Sequence, residues 1–219
     1  VSVGDTKDRI LDAAERLFAE HGFAATSLRT ITAEAGVNLA AVNYHFGSKG
    51  ALMLAIFERR LGPINERRIE MLDDLERAAA GAALNVEDVL RAFLAPVFET
   101  FERSKKTGTT FMRLVGQMHT EANSDLRQGF LDLFKEIVPR FGAALSGAVP
   151  HLTLNEIHRR MHFVIGAMAH ALSWEADAKL HMAFEDEGDD AATVLEALVE
   201  FGAAGLRAPS MTRAREEAS

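Results

Sequence analysis

With 219 residues and a formal net charge of −8, the chain has room for one sizeable domain or two smaller ones. It has no cysteine, which excludes a disulfide framework and thiolate chemistry, and no apolar run approaches the roughly 18–20 residues that a bilayer-spanning helix needs. Phe (14) and Met (8) join Leu and Ala in the apolar set, while Tyr and Trp occur once each, the composition of a mainly helical soluble protein. The first residues carry Asp5, Asp8 and Asp12 in place of the basic-then-apolar order of a signal peptide, so a cytoplasmic location without a membrane partner is expected.

In chain order, Ile10, Leu11, Ala14, Leu17 and Phe18 repeat at helical spacing and predict a first helix over about residues 6–21, with Gly22 placed to end it. Thr26 or Ser27 caps a second helix whose inner face is Leu28, Ile31 and Ala35. Gly36 makes a turn, Asn38 caps a third helix with Val42 and Phe46 pointing inward, and Ser48 caps a fourth that runs on through Leu52, Ile56 and Phe57. Gly62-Pro63 should kink or divide that helix, because proline lacks an N–H and clashes with the preceding turn.

Beyond the small residues of 78–83, a helix over 85–104 bears Pro96 in its interior, and 105–109 reads as a loop. Helices follow over 111–121 and over 125–146, the latter with Pro139 inside. Residues 153–183 read as a long helix apolar on more than one face, 185–190 as an acidic loop, 191–207 as the last helix and 209–219 as a frayed polar tail. There is no strand-like alternation and no internal repeat. The fold class is all-α, with about nine helices.

The second and third helices, joined by a tight glycine turn, have the layout of a helix-turn-helix that places one helix in the DNA major groove. With Val42 and Phe46 buried, the third helix presents Leu39, Ala40, Asn43 and Tyr44. Asn43 has the amide geometry to pair bidentately with adenine, and Leu39, Ala40 and Ala41 suit thymine methyls. Tyr44, His45 and Lys49 at the far end suit phosphates, as do Arg29 and the free N–H groups at the start of the second helix. Simple packing between the third and fourth helices is the competing account of Tyr44 and His45. Charge gives no help: residues 1–50 hold five basic against six acidic side chains, and 26–50 hold Arg29 and Lys49 against Glu34. Without a basic stripe, affinity must come from placed contacts doubled by dimerisation.

Residues 7–54 closely resemble the N-terminal domain of TetR-family transcriptional regulators. The matching features are Arg9-Ile10-Leu11-Asp12-Ala13-Ala14, Leu17-Phe18, Gly22-Phe23, Thr26-Ser27-Leu28-Arg29, Ala35-Gly36-Val37, Tyr44-His45-Phe46 and Ser48-Lys49. The resemblance implies a dimeric repressor, not an enzyme, and makes Ser27, Arg29, Leu39, Ala40, Asn43, Tyr44, His45 and Lys49 the candidates for DNA contact. A second resemblance rests on the run from Asn38 to Lys49, on Leu61-Gly62-Pro63, on Phe111-Met112-Arg113-Leu114, and on His162-Phe163 with Gly166-Ala167. These are similar to the PsrA-type branch, which implies a response to long-chain fatty acids and control of lipid degradation.

Past residue 85 the chain is rich in Phe and Met, most of which a core would use. Interior Pro96 and Pro139 bend helices and open gaps, and Arg113, His119, His162 and His170 stand at helical positions in apolar surroundings. A buried cation needs an anionic partner, which a ligand carboxylate or an internal Glu supplies. The candidate ligand-binding set is Phe93, Phe98, Phe111, Met112, Arg113, Phe130, Phe134 and His162. His158 and His162 stand at i, i+4 without a convincing third ligand, so no metal and no cofactor is expected. The last two helices are apolar over too wide an arc for one small domain and predict a two-fold homodimer interface.

The expected organisation is a helix-turn-helix domain over 1–50, a connecting helix and linker over 51–84, a ligand-binding and dimerisation domain over 85–208 and a tail over 209–219. The expected function is a ligand-responsive repressor of a palindromic operator, released by a small hydrophobic effector such as a long-chain fatty acid or acyl-CoA. Two alternatives stay open: a TetR-like regulator of drug efflux or other metabolism with a different ligand, and a DNA binder that needs no effector.

Overall fold

The protein is described here by a computed structural model covering residues 3–103, 105–118, 123–174 and 190–210. His119, the end of the expected long helix beyond residue 174, the acidic segment up to residue 189 and the tail from residue 211 lie outside the described residues. Among the described residues there are ten helices and no strand, the all-α class expected, with one helix more than nine. They are α1 (Val3–His21), α2 (Leu28–Ala35), α3 (Leu39–Phe46), α4 (Lys49–Ala79) and α5 (Val86–Arg103). After these come α6 (Lys105–Met118), α7 (Ser124–Asp132), α8 (Ile137–Ala148), α9 (Leu154–Trp174) and α10 (Ala191–Arg207).

The extra helix arises where one was expected over 125–146. The chain turns at residues 133–136, and Pro139 falls in the first turn of α8, where its missing N–H has no intrahelical partner to lose. Residues 105–109, expected as a loop, form the first turns of α6. Gly62-Pro63 does not divide α4, which is a single element of 31 residues with Pro63 inside. Packing groups the chain into two compact units, Val1–Pro63 with Lys106–Phe134, and Ile64–Lys105 with Lys135–Ser219.

In the first unit, Ile10, Ala14 and Phe18 of α1 are fully buried with Ile31, Val42, Leu52, Ile56 and Phe57. Phe57 is the aromatic pivot: it meets Phe111 edge-on at 5.9 Å and Phe130 at 4.7 Å, and Phe130 meets Phe134 at 5.4 Å. Gly129 lets α7 approach α4, since a Cβ there would stand 2.6 Å from Leu54 Cδ1.

The same unit buries one carboxylate. Glu15 on α1 is 3% exposed and accepts from two arginines of α4. Arg59 Nη2 donates at 2.7 Å, Arg60 Nε at 2.9 Å and Arg60 Nη2 at 2.8 Å, while Arg59 Nη1 reaches Asp12 at 2.8 Å. Both carboxylate oxygens are filled, which is the condition under which a buried charge is tolerable.

In the second unit, α10 packs along α5 and α9. Gly202 permits this: a Cβ there would stand 3.1 Å from both Leu90 and Val164. Ion pairs border the contact, with Arg91 on Glu196 at 2.8 Å and Arg207 on Glu87 at 2.6 Å. The Arg207 hydrogen bond holds the Glu87 carboxyl below the ordinary carboxylate range. That pair therefore contributes at pH values above the range and is lost as the carboxyl protonates in acid. At the end of α10, Arg160 of α9 donates to the carbonyls of Gly205 (2.7 Å), Ala208 (2.7 Å) and Pro209 (2.8 Å), a cation placed at the negative pole of a helix.

Glu15→Ala leaves two half-buried guanidiniums facing each other without their anion. The expected loss is ~2–3 kcal/mol of unfolding free energy, below the full value for a buried pair because both arginines keep some solvent. A urea midpoint equal to that of the unaltered chain would contradict it.

Candidate nucleic-acid interface

The segment from α1 to the start of α4 is built by caps. Gly22 ends α1 at a φ of +83°, and the Thr26 hydroxyl ties that end down by donating to the carbonyls of Leu17 (3.1 Å) and Gly22 (2.9 Å). Ser27 Oγ accepts the Thr30 N–H at 3.1 Å and starts α2. Gly36 ends α2 in the left-handed region, φ +62°, and its N–H reaches back to Thr32 and Ala33. Arg9 of α1 seals this turn by donating to the Ala35 and Gly36 carbonyls, and any Cβ at position 36 would collide with that guanidinium at 2.8 Å. Asn38 Oδ1 accepts the Ala41 N–H at 2.9 Å to start α3, and Ser48 Oγ accepts the Ala51 N–H at 3.0 Å to start α4.

These caps set what α3 shows. Val42 is fully buried and Phe46 is half-buried, so the expected inward pair is oriented as the i, i+4 spacing required. On the other side Leu39, Ala40, Asn43 and Tyr44 are exposed, Tyr44 at 83%. His45 is half-buried, its ring edge-on to Tyr44 at 5.1 Å and 6.0 Å from Phe46. Tyr44 therefore stands in solvent, and packing between α3 and α4 does not account for it. Arg29, Thr30 and Ser27 are exposed at the start of α2. Thr30, whose hydroxyl lies 2.8 Å from Ser27 Oγ, was not singled out by sequence; its position one turn into a capped helix is the signal that finds it.

Lys49 departs from expectation. Its Nζ donates to the Phe23 carbonyl at 2.8 Å and the Thr26 carbonyl at 3.1 Å, and lies 4.4 Å above the Phe23 ring. It holds the segment between α1 and α2 to the start of α4, with two of three donors used. Arg16 pairs with Glu34, joining α1 to α2, which spends further charge inside the unit.

The candidate ligand-binding residues divide between the units. Phe111, Met112, Arg113, Phe130 and Phe134 belong to the first unit, and Phe93, Phe98 and His162 to the second. Phe111 and Met112 are buried, Phe130 and Phe134 half-buried, and Phe93 and Phe98 buried. Arg113, His162 and His170 are exposed, so the expected apolar surroundings of these three are not met. They were placed by helical spacing alone, which fixes a face and not its depth. Among the described residues no group of three His, Cys, Asp or Glu side chains converges as a metal site.

Comparison with known proteins agrees with the caps. Residues 10–56 match the family profile described as bacterial regulatory proteins, tetR family, and residues 91–205, just over half of the chain, match the tetracyclin repressor-like C-terminal domain. The chain belongs to the TetR family. Among curated relatives, the HTH-type transcriptional regulator YerO of Bacillus subtilis is 33% identical over 47% of this chain and 34% of its own length. The repressor NicS of Pseudomonas putida is 26% identical over 56% of this chain and 55% of its own length. The matched part of this TetR-family chain thus spans about a third to a half of those relatives. Two solved structures share the fold at low identity. The fatty acid degradation regulator FadR of Bacillus halodurans has a TM-score of 0.63 at 17% identity, covering 92% of this chain and 96% of that one. FadR of Bacillus subtilis in complex with stearoyl-CoA has a TM-score of 0.61 at 16% identity, covering 90% and 98%. Among the described residues no helix is long and apolar enough to cross a membrane.

The geometry separates Lys49 from Tyr44. Lys49→Met should lower the melting temperature by a few degrees, because two carbonyls lose a charged donor worth ~1–2 kcal/mol. Tyr44→Ala should leave it unchanged. Calorimetry showing the reverse order would refute the assignment of Lys49 as a structural tie.

Proposed function

We propose that this chain is a ligand-responsive repressor that binds a palindromic operator as a homodimer and is released by a small hydrophobic effector. In this reading 1–50 is the reading head, 51–84 the connection, 85–208 the ligand-binding and dimerisation domain, and 209–219 a polar tail. The observation that carries it is the exposed face of α3, where Leu39, Ala40, Asn43 and Tyr44 stand clear of the fold between two capped helix starts. An amide in the second turn of a short helix, with small apolar groups one turn before it, is what reading an adenine and its neighbouring thymine methyl requires. Ser27, Arg29 and His45 border that face and serve phosphates. Lys49 contributes through the segment it holds, with one donor left over.

Dimerisation through the last two helices is supported by apolar surface with no use inside the second unit. Phe163 on α9 and Phe201 on α10 are 62% and 63% exposed. On α10, Ala197, Phe201, Ala204 and Gly205 form an exposed stripe at helical spacing that continues to the capping residue Ala208. Gly202 and Ala203, by contrast, are consumed by packing within the chain. Two reading heads related by such a two-fold axis would meet half-sites about one helical turn, ~34 Å, apart.

For the effector, a long-chain fatty acid or acyl-CoA is favoured by the Phe- and Met-rich helices and by the stearoyl-CoA carried by the Bacillus subtilis FadR structure. Helix α4 supplies residues to both units, so a ligand that shifts α4 can move the α3 faces out of register with successive grooves. The cost to operator affinity would be the coupling energy, typically ~1–3 kcal/mol.

Asn43→Ala should weaken operator binding in a mobility-shift assay by roughly 5- to 150-fold, ~1–3 kcal/mol, with unchanged melting temperature. Phe201→Asp should yield monomers in sedimentation and lose operator affinity in parallel. Across straight-chain acids, each buried CH₂ contributes ~0.8 kcal/mol, so two carbons should change the releasing concentration by about 15-fold until the chain outgrows its site. A response flat from C8 to C18 would reject an acyl effector.

A further inference from the structure

Arg91, Arg140 and Arg207 of the second unit all lie against carboxylates, which raise their pKa values. Arg68 is different. It sits on α4 in that unit, 3% exposed, and no carboxylate comes within ion-pair distance of it among the described residues. Its Nε donates to the Phe93 carbonyl at 2.8 Å and its Nη1 to Asn65 Oδ1 at 3.0 Å. Its guanidinium lies 4.1 Å above the Phe93 ring, and Phe93 in turn meets Phe141 of α8 edge-on at 5.2 Å. The third nitrogen, Nη2, has no hydrogen-bond partner among the described residues and is not sealed from solvent.

Every acceptor that Arg68 meets is therefore neutral. Burial pulls its pKa down to about 9, so the group stays charged at neutral pH while lacking a counter-ion. As a purely structural element this is a poor solution. A methionine of similar length would fill the same space without the desolvation penalty, and replacing buried charge by apolar volume is often neutral or stabilising.

We propose that Arg68 is an anion anchor, taking the carboxylate of an amphipathic monoanion bound in the second unit. The carboxylate pairs with the open Nη2 and displaces Asn65 from Nη1, which gives the two parallel hydrogen bonds that a guanidinium fork and a carboxylate share. One guanidinium among apolar side chains balances one negative charge, which favours a carboxylate over a phosphate dianion. Phe93 and Phe141 supply the apolar wall next to that head group. The proposal rests on the ligand-responsive reading given above and names its site and head-group chemistry: a free acid, held at its charged end.

The test is titration calorimetry of the full chain with laurate and with 1-dodecanol, which share a twelve-carbon chain and differ in the head group. The unaltered protein should bind laurate roughly tenfold or more tightly than dodecanol. Arg68→Met should abolish that preference while keeping the dodecanol affinity, a split that a merely structural arginine would not give. Arg68→Lys keeps the charge but loses the fork, and should bind laurate several-fold more weakly with dodecanol unchanged; it decides the matter if Arg68→Met does not fold. A laurate preference that survives Arg68→Met overturns the anchor. Equal binding of both probes by the unaltered protein overturns the anchor and leaves an acyl effector standing. Binding of neither overturns both.

Discussion

The first unit is organised around one carboxylate that has been taken out of water. Glu15 can be buried only because Arg59 and Arg60 fill its lone pairs, and both arginines come from α4. A charge in that position cannot slide: displacing α4 along α1 by even one residue would strand an anion and two cations together. The bond therefore fixes the rotation and register of α4 against α1, and with it the frame on which α2 and α3 are hung. Helix α4 then continues past Pro63 as one element and delivers Arg68 and Leu72 to the second unit.

Much of the charge around the first four helices is engaged inside the fold. An acidic protein proposed to contact DNA looks contradictory if its ionised groups are counted, and less so when they are located. Asp12, Glu15 and Glu34 are occupied by Arg59, Arg60 and Arg16, and Arg9 and Lys49 are occupied by backbone carbonyls. The α3 face that remains is almost free of charge, carrying an amide, a phenol and small apolar groups. Such a face gains little from counter-ion release and has to rely on fit, which places a premium on rigid presentation.

The caps were legible in the sequence because they depend on local chemistry. Gly22, Gly36, Ser27, Asn38 and Ser48 each do at their own position what their side chain, or lack of one, permits anywhere. The same holds for Val42 and for the exposed quartet of α3, which follow from helical period. What was illegible depends on partners distant in sequence. Nothing local distinguishes a lysine that reaches phosphate from one that folds back on Phe23 and Thr26. Nothing local says that Arg113 is exposed and Arg68 buried, since both lie in helices rich in apolar residues. Proline was only partly legible: Pro96 stands inside its helix as expected, whereas Pro63 does not divide α4 and Pro139 does not stand in the middle of one long helix. Its meaning depends on whether it falls in a first turn, as Pro139 does, or inside a helix that neighbours hold together, as Pro63 and Pro96 do.

Tyr44 is the one tyrosine in the chain and stands 83% exposed on α3. The molecule thus carries a single phenol, and that phenol lies on the face assigned here to base reading. Reagents that nitrate or iodinate phenols have one target, and it is not shielded by the fold. A protein preparation exposed to nitrating oxidants would acquire added bulk on that one ring, on the face proposed to meet DNA. Oxidative history is in this way written directly onto the proposed recognition surface.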